Sequence, residues 1–282
     1  MLTVSETSEL REHLNEWRAA GDHIALIPTM GNLHAGHLSL IELAREHAEK
    51  TVVSIFVNPT QFGEHEDYDN YPQTLDRDKR RLIRSGVDIL FVPSVSTLYP
   101  FGVENATTVT VPVLGDAFCG EFRPGHFDGV ASVVTRLFGL VQPDVAVFGQ
   151  KDYQQQLIIR RMTEDLGFPI RIVTGETVRE DDGLALSSRN QYLTEDERAT
   201  ATVIHKVLND IGESLQSGKR NYDELQEEAI KALAAAGLAP DYVSIRRAEN
   251  LAEPNRDCDE LVVFVAATLG KARLIDNIVV SV

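Results

Sequence analysis

Cysteine, cationic charge and long apolar runs are what this sequence has little of. Its 282 residues include only two cysteines, Cys119 and Cys258, far apart and at no metal-ligand spacing. That excludes a disulfide framework and predicts a reduced, cytoplasmic protein. No apolar stretch reaches the length that spans a bilayer. The opening MLTVSETSELREHL has neither the basic start nor the apolar core of a signal peptide, so no membrane partner is expected. Lys and Arg number 27 against 43 Asp and Glu, a formal net charge of −16. This argues against nucleic acid, whose binding requires cations on phosphates. It still admits a small anionic ligand, provided the cationic and N–H donors are gathered in one place. There is no internal repeat, no low-complexity tract, no Walker A loop, and no dinucleotide-type glycine fingerprint after the first buried strand.

What is present is a chain that is 43% hydrophobic, enough to bury a core. HIALIPT, TVVSIFV, VDILFVP, DVAVFG and PIRIVTG read as short buried strands. Between them lie helical periodicities in HLSLIELAREHAEK, LDRDKRRLIRSG, HFDGVASVVTRLFGLV and DYQQQLIIRRMTEDLG. An N-terminal helix, SELREHLNEWRAAG, closes at Gly21, and Asp128 is the expected N-cap of the HFDG helix. Five strands alternating with helices predict an α/β domain, a mostly parallel sheet with helices on both faces. The rhythm changes near residue 176. One helix from TEDERATATVIHKVLNDIGESL, with Thr194 and Glu197 at capping-box spacing, and a second closed by Gly237 precede the strands YVSIRRA, LVVFVAAT and ARLIDNIVVSV. The expected domains are therefore 1–176 and a smaller α+β domain, 177–282.

Four segments can carry chemistry. PTMGNLHAGH (28–37) runs from the end of the first buried strand into a helix, where free N–H groups and the helix dipole favour a phosphate. His34 and His37 can donate to one anion there; a helix cap is the alternative use of the same pair. FVNPTQF places Gln61, with amide donors and an acceptor, after the second strand, although Asn58-Pro59 is also a turn starter. FGQKDYQQQ follows the fourth strand. There Lys151 can hold phosphate, Asp152 can accept from a ribose hydroxyl or cap a helix, and Gln155 lies one turn further on. LALSSRN offers Ser187, Ser188 and Arg189 as a phosphate clamp in the domain connector. A plain polar linker is the alternative reading of that stretch, and Arg123 and His126 in CGEFRPGHFDG, near a helix start, leave the same two readings open; the polar stretch to Pro72 has the look of a flap. A zinc site at His34 and His37 fits less well, since no Cys or carboxylate sits at a ligand spacing nearby, and GEHED (63–67) is as polar as exposed loops often are.

PTMGNLHAGH, FVNPTQF, FGQKDYQQ and LSSRN, in this order and at these separations, closely resemble the pantoate–β-alanine ligase family, within the broader H-x-G-H nucleotidyl-transfer superfamily. The resemblance covers essentially the whole chain. It implies a Rossmann-like N-terminal domain, a C-terminal domain that covers the site as a lid, and a homodimer. It implies ATP and Mg²⁺ as cofactors, with (R)-pantoate activated as an acyl-adenylate and then joined to β-alanine with release of AMP and pyrophosphate. By matching motif, Met30, Gly31, Asn32, Leu33, His34, Ala35, Gly36 and His37 line the ATP site, and His37 is the proton donor. Gly149, Gln150, Lys151, Asp152, Val178, Leu186, Ser187, Ser188 and Arg189 complete it. His34, Lys151 and Arg189 join His37 in the chemistry, and Gln61 and Gln155 hold pantoate, Gln61 also lying near β-alanine. Leu186 stands where many relatives have methionine. A nucleotidyltransferase acting on a phosphate acceptor shares the first motif, but the two glutamines favour a hydroxy-acid carboxylate. A tRNA-charging enzyme would need a lysine-rich loop where LSSRN stands. A non-catalytic ATP sensor would not need Lys151, Gln61 and Gln155.

Overall fold

The computed structural model describes residues 1–63, 66, 68–255 and 258–282. The chain divides into two units, Met1–Gly149 with Gln154–Glu176, and Gln150–Tyr153 with Thr177–Val282.

The first unit is built on six parallel strands: β1 (Leu2–Val4), β2 (Ile24–Thr29), β3 (Lys50–Ile55), β4 (Ile89–Phe91), β5 (Val145–Gly149) and β6 (Arg171–Gly175). Their spatial order is β1-β4-β3-β2-β5-β6. The central strands are short β-branched and aliphatic runs, as a sheet covered on both faces requires. The chain steps outward from β2 through β3 to β4, then crosses to β5 and β6 on the other side of β2. The direction of winding reverses between β2 and β5. The loops after Thr29 and Gly149 therefore leave the carboxyl ends of the strands at the switch point, where doubly wound sheets bind ligands.

Helices α1 (Thr7–Ala20), α2 (Ala35–Arg45), α3 (Leu75–Arg84), α4 (Val95–Leu98), α5 (Cys119–Phe122), α6 (His126–Val141) and α7 (Tyr153–Asp165) connect these strands. α1 stops at Gly21 in the left-handed conformation, as expected. α2 buries Leu40, Ile41 and Ala44 in a core with Ala25, Ile27, Val53, Leu82 and Leu90.

The second unit contains α8 (Glu195–Ala201), α9 (Val203–Gln216), α10 (Tyr222–Ala235), β7 (Ala239–Arg247), β8 (Glu260–Leu269) and β9 (Ala272–Ser281). The three strands form an antiparallel sheet in the order β7-β8-β9. Leu208, Ile211 and Leu215 of α9 and Leu225 and Leu233 of α10 pack with Val243, Val263, Val265 and Leu274 of the sheet. The α/β fold class with a small α+β portion agrees with the sequence reading.

Three local expectations are corrected. Asp128 is not the N-cap of α6; Gly125, at φ +78°, occupies that position, and Asp128 sits in the first turn, where its charge favours the helix dipole. The Thr194–Glu197 capping box forms, but the helix it opens ends at Ala201, and α9 restarts after Thr202. Lys151 lies in a 3-10 turn, Gln150–Asp152, ahead of α7 rather than in the helix, so one-turn helical spacing to Gln155 does not apply. β1 is an additional edge strand. Among the described residues no helix is long and apolar enough to cross a membrane.

Candidate active site

The segment after β2 is held by side chains that the motif does not contain. Gly31 and Asn32 adopt φ of +85° and +49°, which turns the chain sharply before the helix. A Cβ at Gly31 would meet Ile55 Cγ2 at 3.1 Å, so both the conformation and the space call for glycine. The backbone N–H groups of Asn32 and Leu33 donate to the two carboxylate oxygens of Asp78 on α3, at 2.8 and 3.0 Å. Thr74 Oγ1 donates to the same carboxylate at 2.9 Å. Asp78 is fully buried. Arg77 donates to Asn32 Oδ1 and Arg81 to the Leu33 carbonyl, while the Leu33 side chain enters the core. Both ends of the turn are thereby pinned before α2 begins.

His34 is the N-cap of α2, and its backbone N–H donates to His37 Nδ1 at 3.2 Å. The two rings lie 4.1 Å apart, centre to centre. Because Nδ1 of His37 accepts, the ring proton of the neutral form is on Nε2, which makes that nitrogen a donor. The capping use of the pair and its use on an anion are thus compatible: the cap fixes the tautomer that an anion requires.

After β3, Asn58 organises the turn Pro59–Gln61. Its Oδ1 accepts from Thr60 N and Thr60 Oγ1 and, at 2.7 Å, from the Tyr99 hydroxyl. Its Nδ2 donates to Gln61 Oε1 and to the Gly129 carbonyl, each at 3.1 Å. Burial pushes the Tyr99 hydroxyl up in pKa, against the Thr60 and Asn58 hydrogen bonds and the Arg136 charge, and so keeps it a donor. With its Oε1 taken, Gln61 has its two N–H groups for a further acceptor. α6 presses on this turn so closely that a Cβ at Gly129 would stand 2.2 Å from the Thr60 carbonyl oxygen.

The Gln61 carbonyl is held as well. His126 Nδ1 lies 2.8 Å from it, and Arg123 donates to it at 3.3 Å. Arg123 also donates to His126 Nε2 at 2.9 Å. A guanidinium has no acceptor, so His126 is neutral with its proton on Nδ1. Arg123 closes on Glu66 through two bonds of 2.5 and 2.6 Å. Burial raises the Glu66 pKa, but the Arg123 hydrogen bonds and charge outweigh it and hold the carboxyl below its usual range. His65 of the GEHED stretch lies outside the described residues. In α7, Gln155 is half-buried, whereas its neighbour Gln154 is spent on the Leu114 and Ala117 carbonyls and the Cys119 N–H.

The remaining predicted residues belong to the second unit. Lys151 Nζ lies 4.0 Å from Asp152 Oδ1, and Asn277 of β9 donates to the carbonyls of Gln150 and Lys151, each at 2.9 Å. Residues 178–186 form a narrow hairpin in which Leu186 N donates to the Val178 carbonyl and Glu180 N to the Leu184 carbonyl. Arg179 of this hairpin pairs with buried Asp276. Ser187 Oγ caps the following turn by accepting from Arg189 N at 3.2 Å.

The first unit thus gathers Met30–His37, Gln61 and Gly149 at strand carboxyl ends, and the second gathers Gln150–Asp152, Val178 and Leu186–Arg189. Asp78, Asn58 as a buried hub, Tyr99, Gly129 and the Asp276–Asn277 pair escaped the sequence reading. For Asp78 a signal existed: it shares a face with Leu82, four residues on, and so falls within the apolar stripe of an otherwise charged helix.

A doubly wound sheet with imidazole and backbone N–H donors at its switch point has the layout with which α/β enzymes bind nucleotides. The profile of the family described as pantoate-beta-alanine ligase matches residues 2–279. The pantothenate synthetase of Colwellia psychrerythraea is 51% identical over 100% of this chain and 99% of its own, and that of Stutzerimonas stutzeri is 51% identical over 100% and 98%. The crystal structure of the Thermus thermophilus pantothenate synthetase superposes with a TM-score of 0.92 at 46% identity, covering 99% of both chains. A Francisella tularensis pantoate-beta-alanine ligase, solved in complex with "Beta-gamma ATP" and β-alanine, superposes with a TM-score of 0.83 at 32% identity over 99% and 97%. The chain belongs to the pantoate–β-alanine ligase family.

Proposed function

We propose that this chain condenses (R)-pantoate with β-alanine at the expense of ATP, with the motif residues in the following roles. A pantoate carboxylate oxygen attacks the α-phosphorus of ATP, the bond to the β-phosphate breaks, and pyrophosphate leaves. The β-alanine amine then attacks the acyl carbon, the acyl–oxygen bond breaks, AMP leaves, and a proton is lost from nitrogen. His34, His37, Lys151 and Arg189 act on the phosphates and favour charge building up on pyrophosphate; His37 donates through Nε2. Removing one such preorganised donor typically costs about 10²–10³ in rate. Gln61 and Gln155 orient pantoate, and positioning supplies much of the remaining acceleration.

The observation that carries this reading is the Asn58–Gln61 hydrogen bond. It commits a buried carboxamide to presenting N–H donors, which suits the oxygens of a hydroxy acid. Mg²⁺ fits the same reading. The 30–37 segment offers donors and no carboxylate, and Mg²⁺ is ordinarily held by one or two carboxylates together with substrate phosphates. Asp152, the carboxylate of the FGQKDYQQQ motif, would hold it with ATP; when bound it neutralises phosphate charge. On the family resemblance we also read the protein as a cytoplasmic homodimer in which residues 177–282 act as a lid.

The test is to incubate the protein with ATP, Mg²⁺ and pantoate, with and without β-alanine. Pyrophosphate up to one equivalent per site without the amine, then steady AMP and pantothenate once it is added, is the expected result. Absence of pantoate-dependent pyrophosphate would overturn the reading and turn attention to phosphate acceptors.

A further inference from the structure

We infer that Asp276 and Asn277, adjacent residues of β9, are positioning residues that hold the two nucleotide-binding segments of the second unit in register, with Asn277 acting through Lys151. The inference rests on the proposed roles of those segments.

Asn277 is almost fully buried, and its amide is completely engaged. The two N–H groups of Nδ2 go to the Gln150 and Lys151 carbonyls, both at 2.9 Å, and Oδ1 faces Gln150 Nε2 at 3.4 Å. Two successive carbonyls of a turn are thus fixed by one rigid side chain on a sheet, and the lysine between them cannot shift without breaking both bonds. Consecutive strand residues point to opposite faces, so Asp276 serves the other side. It takes Arg179 through bonds of 2.6 and 2.9 Å, and Arg179 reaches on to the Gly183 and Asn277 carbonyls. Arg179 stands in the hairpin whose arms end at Val178 and Leu186, and the Ser187–Arg189 turn follows directly. One dipeptide therefore ties the lysine turn to the hairpin that leads into the serine–arginine turn.

Asn277→Asp is the sharpest test because it keeps the shape and replaces both donors with acceptors facing two carbonyl oxygens. A displacement of about 1 Å in a positioning element can cost about 10²-fold in rate. The expected result is a fall of about 10- to 100-fold in kcat/KM for ATP in pantoate-dependent pyrophosphate release, with the KM for β-alanine unchanged and a cooperative thermal unfolding transition retained. A double-mutant cycle with Lys151→Ala distinguishes positioning from bulk stability. In the Lys151→Ala background, Asn277→Asp should add less than about threefold, read by ATP affinity and by single-turnover pyrophosphate release. Losses of equal size in both backgrounds, or Asn277→Asp activity within twofold of the unaltered protein, would overturn the inference. If Asn277→Asp does not fold, Asn277→Thr, which suits a strand and lacks the amide, runs through the same cycle. Failure of the unaltered protein to release pantoate-dependent pyrophosphate would count against the proposed function instead.

Discussion

Replacing Asp78 with alanine should loosen the segment that carries His34 and His37, and its cost can be worked from three hydrogen bonds. The carboxylate is fully buried and accepts from Asn32 N, Leu33 N and Thr74 Oγ1. Asn32 and Leu33 are themselves buried, so their N–H groups would be left without an acceptor. A buried orphaned donor costs about 1–3 kcal/mol, which gives about 2–6 kcal/mol for the pair. Asn32 is held at φ +49°, a conformation that costs an L-residue about 1–2 kcal/mol, asparagine being among those that tolerate it best. Once released, the turn is free to relax away from its active shape. The expectation is a loss of about 3–5 kcal/mol in Asp78→Ala, measured by urea unfolding at unchanged m-value. A fall of about 10²-fold in pyrophosphate release should accompany it. Asp78→Asn retains one acceptor oxygen and should lose about half as much stability. An Asp78→Ala loss below about 1 kcal/mol would refute the reasoning, because it would mean that neither N–H depends on the carboxylate.

Gly129→Ala should force the Pro59–Gln61 turn outward, since its Cβ would stand 2.2 Å from a backbone oxygen; steady-state kinetics should show a raised KM for pantoate with ATP affinity little changed. The depressed Glu66 carboxyl contributes stability that is present above its unfolded pKa of about 4.3 and lost as pH falls through the lower folded value. Thermal midpoints below about pH 4.3 should therefore fall less in Arg123→Gln than in the unaltered protein. Burial first, and then the Arg179 charge against the opposing Asp276, hold the His205 pKa down. Its neutral form thus contributes stability above the unfolded pKa of about 6.5 that is lost as pH drops toward the folded value. His205→Asn should shrink the decrease in Tm between pH 7.5 and 5.5.

Much of the fold was legible because buried parallel strands are short runs of one character, and VAVFG or TVVSIFV cannot be hidden by their surroundings. β1 escaped because it has three residues, of which only Val4 is buried, too few for a period to register. The α8–α9 region read as one helix because its polar and apolar spacing continues past Thr202; no proline or glycine marks the break, which falls where the Thr202 hydroxyl donates to the Ala199 carbonyl. The chemistry-bearing motifs were legible from residue type and order alone. What holds them was not, because Asp78, Tyr99, Asp276 and Asn277 are brought to their partners by the fold, from positions 41 to 127 residues distant for the bonds that matter. Asn58 was visible as a turn starter, but its role as a hub depends on Tyr99 and Gly129, which only folding brings beside it.

Isotope transfer tests the central claim most directly. Pantoate labelled with ¹⁸O in both carboxylate oxygens is turned over with ATP and β-alanine, and the products are weighed by mass spectrometry. Attack of the carboxylate on the α-phosphorus predicts one ¹⁸O in AMP, one in the amide carbonyl of pantothenate, and none in pyrophosphate. Unlabelled AMP, or label in free phosphate alongside ADP, would contradict activation at the α-phosphorus and with it the roles given to His34, His37 and Lys151.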